Sequence, residues 1–267
     1  MAHYLRDQQV SNVTADSERV RQLAQAFALQ ATSMPEYLAG RQDQPRDVFL
    51  TFTIRFDEKG YRVFDVEQLI RHFESASRVE RVIFELMSGA SIRTNRLTGS
   101  YAELRLDADD RVTCFLTVTS DDERWMQSSF AAIREVLAKM KNRSALVRNA
   151  WVELLIQLIG VLLGFLISVW AAVKIAPSLR IENAFLISFI LALLVYSNFW
   201  TLVNQRLRLV VFGAFPSIRF YRPERDKLHW LYQAVIGGVV VASALFLLNL
   251  AFTYVGQVLG GLIGNGA

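Results

Sequence analysis

Three groups of residues in this chain have the types and spacing to do chemistry. The first lies in Ser88–Ser100, SGASIRTNRLTGS, where Arg93 and Arg96 stand among Ser91, Thr94 and Asn95, with glycines near both ends. Guanidinium forks, hydroxyls and free backbone N–H groups on one loop can hold a phosphate or carboxylate. The same composition also describes an ordinary solvated connection between two strands. A small anionic ligand is therefore one expectation for this loop and a plain turn is the other. The second group is Glu153 with Gln157, and the third is Asn249, Thr253 and Gln257, each set four residues apart in apolar surroundings. Polar groups in such surroundings need protein partners or water. They either hydrogen-bond between helices or line a wet pore.

Other chemistry is missing from the sequence. His3, His72 and His229 are scattered, and with Cys114 as the single cysteine they share no metal-ligand spacing. Cys114 lies mid-strand on an apolar face and reads as inert packing. Asp121, Asp122 and Glu123 read as the first turn of a capped helix, where carboxylates favour the N-terminal dipole. No phosphate-binding glycine loop, zinc helix or nucleophile elbow is present. The expectation is a non-enzymatic protein with no metal and no cofactor.

The elements that must carry these residues divide the chain in two. Trp151–Val173 is long and apolar enough to cross a bilayer, whose core takes about 20 residues of helix. Two further segments, about 183–204 and 230–255, read the same way, giving three spans. Trp151, Trp170, Tyr196, Trp200, Trp230 and Tyr232 are placed as interfacial aromatics. In the first span Gly160, Gly164 and Ser168 share a face with Glu153 and Gln157. In the third, Ala234, Gly238 and Ala242 do the same. Small residues at this spacing let helix backbones approach closely, within one chain or between subunits.

Residues 144–267 thus read as an all-α membrane domain ending in a glycine-rich tail. The chain's net charge is +4, and the first 150 residues are charge-balanced, so the excess lies in the membrane half. Arg206, Arg208, Arg219, Arg222, Arg225 and Lys227 concentrate it in a loop over 205–229, mixed with aromatics, as suits an anionic headgroup layer. Lys/Arg asymmetry places this loop and the N-terminal half in the cytoplasm and the C-terminus outside, in the cytoplasmic (inner) membrane. At that depth Glu153 is expected to pair with Arg206 or Arg208.

The first half reads as an α+β domain over 17–143 behind a loose polar stretch, 1–16. A helix is expected over 17–33, ended by Pro35. Strands follow at 48–56 and 61–64, then a helix capped by Asp65 and Gln68. Strands at 80–88, 100–107 and 111–119 come next, the last two as a tight hairpin through Asp107–Asp110. Val112, Cys114, Leu116 and Val118 share the inner face of the last strand. Ser120 with Glu123 should cap a final helix reaching about 141. The sum is an antiparallel sheet of about five strands with helices on one face.

With one cysteine and no apolar leader, the half-chain suits a reducing cytosol. The soluble half has no basic patch, so no nucleic acid is expected. The expected partners are the lipid bilayer, further copies of the chain or another membrane protein. The leading expectation is a multi-pass membrane protein whose cytosolic module senses or binds and is coupled to oligomerising helices. The alternatives are a gated pore-forming effector and an accessory subunit of a transport or envelope complex.

Overall fold

The computed structural model describes residues 3–39, 47–110, 112–142, 144 and 149–222, with Leu231, Ala234, Val235, Gly237, Gly238, Ala242, Asn249 and Thr253 beyond them. Two compact units result, Met1–Ala145 with Pro216–Lys227, and Leu146–Phe215 with Leu228–Ala267.

The first unit begins with two strands in the stretch expected to be loose. β1 is Tyr4–Gln9 and β2 is Val13–Ala15. The correction has a physical cause. β1 is an edge strand that pairs antiparallel with a single neighbour, Tyr4 opposite Ser120 and Gln9 opposite Phe115. Edge strands carry polar and charged residues that discourage further pairing, so their apolar alternation is faint. α1, Ser17–Thr32, is capped by the Asp16 carboxylate, which accepts from the Arg19 N–H, and buries Val20, Leu23, Ala24 and Phe27. Pro35 does not merely end it. It opens a further short helix, α2, Pro35–Ala39, where a missing N–H costs nothing.

β3, Val48–Phe56, and β4, Lys59–Val63, form the expected hairpin. Its turn residues Asp57 and Glu58 take positive φ, and the Asp57 carboxylate accepts from the N–H groups of Ser77 and Arg78. α3, Val66–Ser75, is capped by Asp65 through the Gln68 N–H. β5 is Val79–Ser88, α4 is Gly89–Arg93 and β6 is Tyr101–Asp107. β7 is Phe115–Ser120, shorter than expected. The Asp107 carboxylate accepts from the N–H groups of Asp109 and Asp110, and Val112 is 81% exposed. The connection is thus a longer loop than a tight turn, and Val112 leaves the inner face it was expected to share with the buried Cys114, Leu116 and Val118.

α5, Glu123–Lys139, is capped by Asp122 rather than Ser120. Ser120 is buried, and its hydroxyl pairs with that of Ser100 and accepts from the Asp122 N–H.

The sheet order is β1-β7-β6-β5-β3-β4, six strands and antiparallel throughout. α1, α3 and α5 lie against one face. Phe27, Phe52, Phe73, Phe84 and Phe130 are fully buried there, with Phe27 stacked on Phe84. The other face bears a band of charge whose members are partly buried by one another. The Tyr101 hydroxyl donates to Glu103, the Arg96 guanidinium lies 4.1 Å above the Tyr101 ring, and Arg81 Nε donates to Asp107 at 2.6 Å.

The second unit opens with α6, Ala150–Ile175, capped by Asn149. A 3₁₀ turn, Ala176–Ser178, leads to α7, Ala184–Ala214. Both are long and apolar enough to cross a membrane, over Ala150–Ser178 and Ala184–Val211. The third expected span is not shown, although its eight described residues are helical. The expected 205–229 loop is corrected over its described part, 205–222. α7 continues to Ala214, and Ile218–Phe220 forms β8, which pairs in parallel with β2 inside the first unit. The soluble domain is therefore not 17–143 but a discontinuous unit closed by chain from beyond the second apolar helix.

Burial alone would push the Asp107 carboxyl up. The backbone N–H of Asp110 and the Arg81 side chain outweigh it and hold this carboxyl below its usual value. Its contribution is therefore complete above the ordinary carboxylate range and is lost as pH falls through the depressed folded value. Asp107→Asn should lower unfolding free energy at neutral pH by about 1–3 kcal/mol. It should also flatten the loss of stability below about pH 4. Urea melts across pH 3–7 read both effects.

Candidate functional site

The loop Ser88–Ser100 folds locally, for reasons visible in its residues. The Ser88 hydroxyl accepts from the N–H groups of Ser91 and Ser100 and so ties the loop's two ends together. Gly99 takes φ +82, where a side chain would be strained, and a Cβ there would meet Ser88 Oγ at 2.6 Å. Thr94 Oγ1 donates to the Ala90 carbonyl at 2.8 Å. Asn95 and Arg96 both take positive φ, which turns Arg96 back over the sheet.

The result differs from an anion cradle. Arg93 Nη1 lies 2.9 Å from Asp47 Oδ2, and Arg96 Nη1 is 3.5 Å from Glu103. Arg96 also reaches Glu85 at 3.9 Å. Each arginine already faces carboxylate. Ser91 is buried beneath them, its side-chain oxygen without a hydrogen-bond partner. Burial is the main cause raising the Tyr101 hydroxyl's pKa, with Glu103 adding to it, so the hydroxyl stays a donor. The loop locks a polar band on the open sheet face and presents no free cationic fork.

The small face of α6 has a definite partner. Gly160, Gly164, Ser168 and Ala172 are buried. A Cβ at Gly160 would overlap the Trp200 indole, and one at Gly164 would overlap the Tyr196 ring. Tyr196 Oη donates to the Gly160 carbonyl at 2.9 Å. This face therefore packs the helical hairpin internally. Glu153 pairs with Arg208 at 2.6 Å, while Arg206 is exposed and so is Gln157.

The stripe of the third segment is placed otherwise. Ala234, Gly238 and Ala242 are exposed, and no described residue lies within 4 Å of a Cβ built at Gly238. Asn249 and Thr253 are exposed too, with Thr253 Oγ1 donating to the Asn249 carbonyl at 2.9 Å. Gln257, Arg225 and Lys227 lie outside the described residues.

Sequence reasoning missed one group. Residues 12–15 hold the chain on both sides of the α6–α7 hairpin. The Thr14 N–H donates to the Met140 carbonyl at 2.9 Å, and the Asn142 N–H donates to the Asn12 carbonyl at 2.8 Å. Those are the last turns before the chain leaves for α6. The Val13 N–H donates to the Ser217 carbonyl and the Tyr221 N–H to the Ala15 carbonyl, both at 2.8 Å. Those follow the return from α7. Val13, Ala15, Ile218 and Phe220 are buried, and Phe220 packs edge-on against Phe73. The Arg219 guanidinium lies over the Tyr221 ring, and Arg222 donates to the Ser77 carbonyl. Two residues expected at a lipid surface are thus part of the first unit. The one available signal was the alternation of Ile218 and Phe220 around Arg219, which is too short to specify a strand.

An α+β module joined at two points to an apolar helical hairpin is the class that fold and site define. No family model, curated protein or solved structure matches the chain.

Gly164→Leu should separate α6 from α7, because the ring of Tyr196 cannot move without losing its bond to Gly160. We expect a lower melting temperature of the purified full-length protein and faster protease cleavage in 176–183. Gly213→Leu, where a Cβ has open space, should leave both unchanged.

Proposed function

We propose that this chain is a non-enzymatic, multi-pass membrane protein. Its α+β module, on the cytoplasmic side of the inner membrane, senses a ligand or partner and passes the event to the helices. The observation that carries this reading is the clasp at residues 12–15. One short strand fixes the chain leading into the hairpin and the chain leading out of it. Each of its hydrogen bonds is worth about 0.5–1.5 kcal/mol net, so a few of them make an element that modest binding energies can shift. A module attached through one linker would transmit little.

Topology supports the orientation. The chain before the hairpin, up to Ala145, and the chain after it, from Pro216, belong to the same compact unit. Between the two spans there are only Lys174 and Arg180, whereas Lys139, Lys141, Arg143 and Arg148 precede the first and Arg206 and Arg208 lie towards the end of the second. Positive-inside then assigns the module to the cytoplasm, and a third span would put the C-terminus outside.

The helices are proposed to associate through the third segment. Ala234, Gly238 and Ala242 are exposed among the described residues, whereas the small residues of α6 are already covered. Native mass spectrometry in lipid nanodiscs should show more than one copy. Gly238→Leu should reduce the number, and a strictly monomeric protein would remove oligomerisation from the proposal.

Ile218→Asp tests the clasp. It places a charge on a buried position of β8 and should release both sides together. Amide exchange at 13–15, 140–142 and 217–221 should rise at least tenfold, while α1, α3 and β5 stay protected. Faster exchange confined to 217–221 would show the two sides to be independent and would remove the basis for transmission.

A further inference from the structure

A cleft of about 280 Å³ opens in the first unit beside the clasp. Its floor is apolar, formed by Val10, Val13, Leu116 and Leu137. One wall is the end of α5 with Arg134 and Ala138, and Lys141 lies just past that helix, where it bridges to Val13. The opposite wall is the edge of the sheet with its exit, carrying Gln8, Gln9, Ser11 and Asn12. It differs from the Ser88–Ser100 loop in one decisive respect. There, each arginine faces a carboxylate. Here, no carboxylate among the described residues lies within ion-pair distance of Arg134 or Lys141. The neighbouring Lys139 is already paired with Glu135 at 2.7 Å.

Asn12, in the same lining, supplies a second observation. Asn12 is held at φ +58 by its backbone, whose N–H donates to Ser217 Oγ at 3.2 Å and whose carbonyl accepts from Asn142. Its side-chain oxygen is cut off from solvent and receives no hydrogen bond. A buried acceptor without a donor costs about 1–3 kcal/mol, and turning the amide into the adjoining cleft toward a ligand hydroxyl would remove that cost. Cations on one wall, an orphan acceptor and primary amides on the other, and an apolar floor describe a charged, hydroxylated small molecule. Arg134 and Lys141 line the same cleft, and their long side chains can converge on one anionic group.

We propose that this cleft binds a phosphorylated polyol, with the phosphate taken by Arg134 and Lys141 and a hydroxyl donating to Asn12 Oδ1. This rests on the sensor reading and supplies its ligand class. The phosphate can come from a free metabolite or from a phospholipid headgroup, since the chemistry presented to the cleft is the same.

The test uses the full-length protein in nanodiscs. In phosphatidylcholine discs, glycerol 3-phosphate and glucose 6-phosphate are titrated by isothermal calorimetry, with inorganic phosphate alongside. Discs containing phosphatidylglycerol are compared by native mass spectrometry for retained lipid. Saturable binding of a free ester, tighter than inorganic phosphate and weakened by 0.5 M salt, identifies a metabolite site. Selective retention of phosphatidylglycerol with no binding of free esters identifies a headgroup site.

Arg134→Gln with Lys141→Gln should weaken either at least tenfold. Both side chains are exposed, so the fold should survive, as circular dichroism will check. Lys139→Gln, off the cleft, should have no effect. Absence of binding in every arm overturns the proposal. So does binding that the double variant leaves unchanged or that Lys139→Gln weakens equally. Binding that persists without altering amide exchange at 140–142 and 217–221 upholds the cleft and counts against the sensor reading, so the two can fail separately.

Discussion

Backbone hydrogen bonds from residues 12–15 determine how this molecule is joined. They tie Met140 and Asn142 to one side of β2 and Ser217 and Tyr221 to the other. Without them the first unit would end at the last helix, and the chain beyond α7 would be a free basic loop. With them, the unit takes in chain that precedes a 26-residue helix and chain that follows a 31-residue one. The side chains make the arrangement costly to leave. Ile218 and Phe220 enter the core of the first unit, and Asn142 Nδ2 donates to Thr14 Oγ1 at 3.2 Å. Peeling β8 away would expose both apolar groups, at roughly 1.5–3 kcal/mol each.

The sheet shows how one element serves two purposes. Its helix-covered face is a conventional aromatic core around Phe84, which touches Phe27 and Phe52. Its open face buries Tyr101, Glu103 and Asp107, although α1, α3 and α5 all lie against the other face. Arginines from neighbouring strands and from the Ser88–Ser100 loop do the covering. A charge in such a band is tolerable because each has an opposite neighbour. The same pairing makes the arginines of the loop poor ligands for an external anion, and it redirects attention to cations that lack such neighbours.

The hairpin illustrates a different economy. Lipid offers no hydrophobic drive for helices to meet, so close fit must do it. Gly160 and Gly164 supply the hollow, Trp200 and Tyr196 fill it, and the Tyr196 hydroxyl finds the Gly160 carbonyl. Glu153 and Arg208 close one end.

What the sequence determined by itself was whatever repeats. Val48–Phe56 alternates because one side meets the core and the other does not, so it was readable as a strand. α1, α3 and α5 showed their inner faces at a spacing of three and four. The first two apolar segments were legible from length and composition, and charge asymmetry put Arg206 and Arg208 at the level of Glu153 without choosing between them; the structure pairs Arg208. Tertiary structure alone decided what has no period. β1 is polar because it is an edge, and β2 and β8 have three residues each, too few for a pattern. Asn12 meets Ser217 across 205 positions of sequence. Pairings of that kind depend on where the rest of the fold brings two ends, and no local propensity encodes them. The cleft follows the same rule: Arg134 and Asn12 acquire a common role only once β2 has been seated against the end of α5.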